Sequence, residues 1–181
     1  LANLSPEEQK SIIDKLTKVR WGAKRVNFGA VYGAGIPKLM LTSGMDKQTT
    51  TILYNGYWKK NWSVKRIARD TFHKTVDGQM WLYNPVSKFW YSLRFEKDKF
   101  STLNQGTGVY CFDTWTRNVR KRGIVLCGQF HDEIVFPLVK GTQDYHKKCL
   151  YDAMDEANEE LNLNVKLSIS VDFGNNYAEV H

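Results

Sequence analysis

Arg20, Lys24, Phe28 and Tyr32 recur every four residues, an interval that an α-helix converts into one common face. Each step of four advances the helix by about 400° and about 6 Å, so the side chains form a slowly drifting stripe roughly 18 Å long. Two cations come first and two rings follow. That layout suits a nucleoside triphosphate, with Arg20 and Lys24 facing phosphate oxygens and Phe28 facing the sugar or base. The ordinary reading of an Arg and a Lys four apart is a solvated basic face, and only the wider string decides between the two.

A second pattern lies a hundred residues on, in Gln129-Phe130-His131-Asp132-Glu133-Ile134-Val135-Phe136. His-Asp-Glu sits between apolar, β-branched runs, and residues 124–130 and 134–139 read as strands, which places the acidic pair at the tight turn of a hairpin. A carboxylate presented there suits Mg²⁺, a hard cation that takes one or two protein oxygens besides waters and substrate phosphates. Asp132 is the natural metal ligand. A third string, Ser101-Thr102-Leu103-Asn104-Gln105-Gly106-Thr107, opens a helix running through Trp115 to about residue 122. Near the end, 167–171 alternates apolar and polar like a half-buried strand and leads into Gly174-Asn175-Asn176-Tyr177.

The first string, with Asn27-Phe28-Gly29 inside it and Tyr32-Gly33-Ala34-Gly35 at its end, resembles motif B of the family A (polymerase I-like) DNA polymerases, phage type. The His-Asp-Glu turn resembles motif C of that family, the Gln105-Gly106-Thr107 string resembles its palm helix, and the Gly-x-x-aromatic ending is similar to family C-termini. The order and spacing of the strings span nearly the whole chain. The resemblance implies an α+β fold in which a helical fingers subdomain (1–76) precedes part of an antiparallel-sheet palm (77–181). It implies that Arg20 and Lys24 hold the triphosphate, Phe28 stacks near the incoming nucleotide, and Tyr32 occupies the templating position until the fingers close. Gln105 then reads the duplex minor groove, and Ser101 stands where the family usually has asparagine. His131 lies near the primer end, Asp132 binds Mg²⁺, and Glu133 plays a secondary part beside it. Lys24, Asp132 and Glu133 form the expected catalytic set.

The reaction so implied joins a deoxynucleotide from its dNTP to the primer 3′-hydroxyl of primer-template DNA in DNA replication, through two metal ions held by two aspartates. One of those aspartates belongs to motif A, and no Asp-x-Ser-x-x-Glu-like string occurs in residues 1–181. A chain opening on Leu1 reads as a piece of a larger or split polymerase, inactive alone, with motif A and the thumb supplied by another segment or chain. The rival is a non-catalytic nucleic-acid-binding or assembly module that keeps the architecture without the chemistry.

Charge supports a nucleic-acid partner. Residues 1–122 carry 22 Lys/Arg against 9 Asp/Glu, a balance of +13, whereas residues 123–181 carry 4 against 10, a balance of −6. A basic surface attracts phosphate backbones by counterion release. The 42% hydrophobic and 13% aromatic content excludes a disordered chain. Cys111, Cys127 and Cys149 lack metal spacing and are odd in number, pointing to free thiols in a reducing compartment. With no signal peptide or membrane span visible, the expected location is cytoplasmic, the bacterial host's if the chain is phage-encoded.

Local signals place the remaining elements. Ser5, Pro6 and Glu8 read as a capping box opening a helix to about residue 18, with the stripe helix following it closely. Gly33 and Gly35 end that helix, and Pro37 opens a short one to about residue 42. Asp46 precedes a long helix to about residue 74, in which Tyr54, Tyr57, Trp58 and Trp62 fall on one face that suits core packing better than a base-stacking platform. Asp77-Gly78 is a break, residues 80–83 and 89–93 form a hairpin, and 144–161 is an acid-rich amphipathic helix backing the palm sheet.

Overall fold

The structure, a computed structural model, describes residues 5–180. It is mixed α+β with small antiparallel sheets, and the chain forms two compact units, Leu1–Gln105 and Gly106–His181.

Helix α1 spans Pro6–Val31 and begins as its sequence dictates. The Ser5 hydroxyl accepts the Glu8 backbone N–H at 3.3 Å, while the Glu8 carboxylate accepts the Ser5 backbone N–H at 2.9 Å. These two bonds satisfy donors that the first turn leaves without intrahelical partners. The two helices expected on either side of residue 18 are one. Nothing between residues 7 and 21 interrupts the ladder, and the first glycine, Gly22, lies on the buried face. That face repeats every four residues as Gly22, Val26 and Ala30. Arg20, Lys24 and Phe28 are each two positions away, about 200° around the helix, and therefore point to the opposite side.

Tyr32 caps α1, and a Schellman ending follows: Gly33, at φ 72°, donates to the Ala30 carbonyl and Ala34 to the Gly29 carbonyl. Helix α2, Ile36–Ser43, then folds back with Pro37 in its first turn. A Cβ on Gly29 would lie 2.3 Å from the Leu39 Cδ2, so the missing side chain is what lets fully buried Leu39 seat against α1. Arg25 closes the other end of α2 by donating to the Thr42 carbonyl at 3.0 Å.

The long helix expected from Asp46 is divided. Helix α3, Lys47–Lys60, starts where the Asp46 carboxylate accepts the Thr49 backbone N–H at 2.9 Å, and α4, Trp62–Asp70, follows a break at Asn61. The Asn61 side-chain amide donates to the Tyr57 carbonyl at 2.9 Å, a local competitor to helix bonding. Residues 73 and 74, which the sequence places at the end of that helix, instead open strand β1 (His73–Val76), paired with β2 (Gln79–Tyr83), which pairs with β3 (Trp90–Leu93). Asp77 at φ 49° and Gly78 at φ 78° supply the two left-handed residues of a type I′ hairpin turn. Buried Asn84 organises the second connection. Its carboxamide oxygen accepts from the Val86 and Ser87 backbones, and its nitrogen donates to the Leu103 carbonyl at 3.3 Å.

A division after residue 76 falls at the tip of the β1–β2 hairpin, whose ladder carries the chain across it. The compact division lies later, inside helix α5 (Lys99–Lys121).

In the second unit β4 (Gly128–Phe130) and β5 (Glu133–Val135) form a two-stranded hairpin, and α6 (Gln143–Leu161) packs on α5. Trp115, Val119 and Ile124 meet Leu150, Ala153, Met154 and Ala157 in the core, with Ile134, Phe136, Leu167, Ile169 and Val171 against them. Both strands are shorter than expected. Each has a single neighbour, and Pro137 has no N–H to extend the ladder. The alternation at 167–171 does put Leu167, Ile169 and Val171 inward, yet these residues form no ladder. The Asn158 side chain takes the place of a neighbouring strand at Leu167, donating to its carbonyl at 2.9 Å and accepting its N–H at 2.7 Å. Among the described residues, no helix is long and apolar enough to cross a membrane.

Candidate functional site

Because the buried face of α1 holds Gly22, Val26 and Ala30, the Arg20–Lys24–Phe28–Tyr32 stripe is left on the surface. Phe28 is 55% exposed and Tyr32 46%. Lys24 stands between two rings, its Nζ 5.2 Å from the Trp21 ring centre and 5.6 Å from that of Phe28. At an exposed site such a cation–π contact contributes about 0.5–1 kcal/mol. A hydrogen bond to a charged group contributes about 1.5–3 kcal/mol. A phosphate oxygen within reach therefore competes with the two rings for the ammonium.

Open hollows lie on both sides of the stripe. One, of about 460 Å³, is lined by Arg20, Lys24, Asn27, Phe28 and, from α3, Tyr57. The other, of about 490 Å³, is lined by Trp21, Lys24, Arg25, Phe28 and Thr42. Trp21 and Tyr57 were not singled out as site residues from sequence. The three-residue spacing of Trp21 and Lys24 is a usable signal for the first, since i and i+3 meet on a helix. No local spacing signals the second, which arrives from another helix. Burial raises the Tyr57 hydroxyl above its ordinary pKa.

Gln105, exposed on the first turns of α5, donates its side-chain amide to the Tyr32 hydroxyl at 2.6 Å. Two residues expected to touch DNA are thus neighbours. Ser101 has a local task, its hydroxyl donating to the Asp98 carbonyl at 3.0 Å.

In the second unit, His131 and Asp132 are the two turn residues between Phe130 and Glu133, which face each other in the β4–β5 register. His131 adopts φ 46°, a left-handed conformation in which histidine is over-represented among non-glycine residues. Both turn residues are exposed. Glu133, expected in the turn beside Asp132, instead begins β5, half-buried, because it pairs with Phe130, and its carboxylate lies against the Tyr177 hydroxyl, whose pKa is raised first by burial and then by that negative charge. Tyr177 also meets Phe130, with ring centres 6.1 Å apart, so the Gly-x-x-aromatic ending packs on the hairpin.

Asp132 fits one ligand position of a Mg²⁺ held mainly by waters and substrate phosphates. The two-ion set needs more oxygens than this turn presents. Among the described residues, no group of three or more His, Cys, Asp and Glu converges as a metal site. Cys111 and Cys149 are buried free thiols, and Cys127 is an exposed one. Comparison with protein-family models and with curated proteins finds no match to this chain.

Proposed function

We propose that this chain is the fingers and C-terminal palm portion of a family A type DNA-directed DNA polymerase, with a right-hand fold completed by other segments. The observation that carries the reading is the exposed stripe of α1: two cations and two rings on one side of a helix, flanked by hollows large enough for part of a nucleotide. Arg20 and Lys24 bind the triphosphate oxygens, Phe28 covers the sugar or base, and Tyr32, restrained by Gln105, sits at the templating position. At the β4–β5 turn Asp132 offers its carboxylate to Mg²⁺, which would supply charge neutralisation of the triphosphate. Glu133, engaged by Tyr177, supports the turn, and His131 faces the primer end. Primer-template DNA and dNTPs are the substrates, and the second carboxylate comes from a segment outside these residues.

A non-catalytic nucleic-acid-binding module is the second reading. It is favoured by the lack of any motif A-like string in residues 1–181.

Titrating the chain with a dNTP and Mg²⁺, followed by Trp fluorescence, separates the two. The polymerase reading expects saturable quenching from Trp21 beside Lys24, weakened at least about tenfold by Lys24→Ala, while duplex DNA affinity changes less than about twofold. No dNTP binding, or equal losses of dNTP and DNA, overturns it. Primer extension by the purified chain alone overturns the requirement for a second carboxylate donor, and extension only on co-expression of a segment carrying that aspartate supports it.

A further inference from the structure

The three-stranded sheet has two chemically different faces. Leu82 and Leu93 point inward, 0% and 3% exposed. On the other face the pairing sets Tyr83 opposite Trp90, and the Tyr83 backbone N–H bonds the Phe72 carbonyl, extending the β1–β2 ladder by one residue. Phe72, Tyr83 and Trp90 therefore form one row across three strands. Their rings are in contact, with Phe72–Trp90 centres 5.7 Å apart and Tyr83–Trp90 centres 5.2 Å apart. Phe72 is 63% exposed and Trp90 37%. In the next row Lys74 faces Trp81, and the Lys74 Nζ sits 4.2 Å from the Trp90 ring centre.

Along this row Phe72 is mostly exposed and Trp90 partly so, while Tyr83 is half-buried between them. The surrounding charge selects the occupant. Residues 59–97 carry nine Lys/Arg against three Asp/Glu, a balance of +6. Protein interfaces are depleted of lysine, whereas single-stranded nucleic acid combines π-faces that stack on rings with a backbone that seeks cations. Antiparallel sheets with outward aromatics stack two or three bases in just this manner in RNA-recognition folds.

We propose that the outward face of β1–β2–β3 binds single-stranded nucleic acid, with bases stacking on Phe72 and Trp90 and Lys74 taking a backbone phosphate. The surface lies apart in sequence from the α1 stripe, and the proposal does not rest on nucleotidyl transfer. Energetics permit it. A base stacked on an aromatic ring is held more strongly than an exposed ammonium over one, so a base displaces the Lys74 ammonium from Trp90 towards phosphate.

The test is fluorescence anisotropy of the 181-residue chain with 5′-labelled dT12, the matching U12 and a 12-base-pair duplex. Single strands are expected to bind more tightly than duplex. Trp90→Ala weakens dT12 binding by roughly tenfold, Trp90→Phe, which keeps a ring, by less than about threefold, and Lys74→Glu lowers both affinity and its salt dependence. Phe72→Ala, at a mostly exposed position, is the variant that leaves the sheet folded, checked by circular dichroism. Unchanged dT12 affinity in both Phe72→Ala and Lys74→Glu, or a Phe72→Ala loss of duplex affinity as large as that for dT12, overturns the proposal.

Discussion

The Gln105 side-chain amide donates to the Tyr32 hydroxyl across 2.6 Å, joining the last ring of the α1 stripe to a residue 73 positions away on α5. The bond lies on the surface, where water competes for both partners, so its net contribution is about 0.5–1.5 kcal/mol. Tyr32→Phe keeps the ring and removes the acceptor, and Gln105→Ala removes the donor. Urea unfolding of the two single variants and the double is expected to give a coupling of about 0.5–1 kcal/mol. Strict additivity would show that the contact holds nothing together.

Gly29 stands inside the nucleotide-like string, yet its structural task is packing. A methyl group there would meet Leu39 Cδ2 at 2.3 Å. Leu39 is fully buried and has little room to retreat. Gly29→Ala should therefore destabilise by about 1–3 kcal/mol despite its better helix propensity. Leu39→Val, which lacks the clashing carbon, should make the double variant lose less than the sum of the singles. A Gly29→Ala protein as stable as the parent in thermal unfolding would refute the close approach of α1 and α2.

Acid should destabilise the chain in a defined direction. Glu8 is held below its ordinary pKa by the Ser5 backbone and hydroxyl, Asp46 by the Thr49 backbone and hydroxyl, and Glu156 first by its hydrogen bond from Arg122, which joins α6 to the turn just after α5. A carboxylate whose folded pKa lies below its unfolded one adds stability that is complete above the unfolded value and lost as pH falls through the folded one. The thermal midpoint is expected to be level near neutrality and to fall below about pH 4.5. Glu156→Gln should flatten that descent. A midpoint constant down to about pH 3 contradicts these assignments.

Much of the local structure was legible before any coordinates. The Ser5–Glu8 capping box, the helix end at Gly33, the Pro37 start and the hairpin turn at Asp132 all depend on residues within a few positions of one another. Errors came where neighbours outvoted local preference. Residues 73 and 74 read as the end of a helix because their partners in β2 lie beyond a turn, and Asn61 divides α3 from α4 through one side-chain bond that no periodicity signals. The alternation at 167–171 correctly marked the inward side chains but not their backbone partner, which is the Asn158 side chain.

By itself the sequence determined which residues share a helical face, where the helix starts at Ser5, Pro37 and Asp46 lie, and how charge is apportioned along the chain. Those properties follow from short-range backbone geometry and from counting. Only the tertiary structure decided which face of α1 is covered, that Gln105 restrains Tyr32, that Tyr57 borders the stripe, and that Phe72, Tyr83 and Trp90 align on an open sheet. Burial is a competition among all the apolar surfaces of a chain for one interior, and its outcome is fixed by contacts between residues far apart in the sequence.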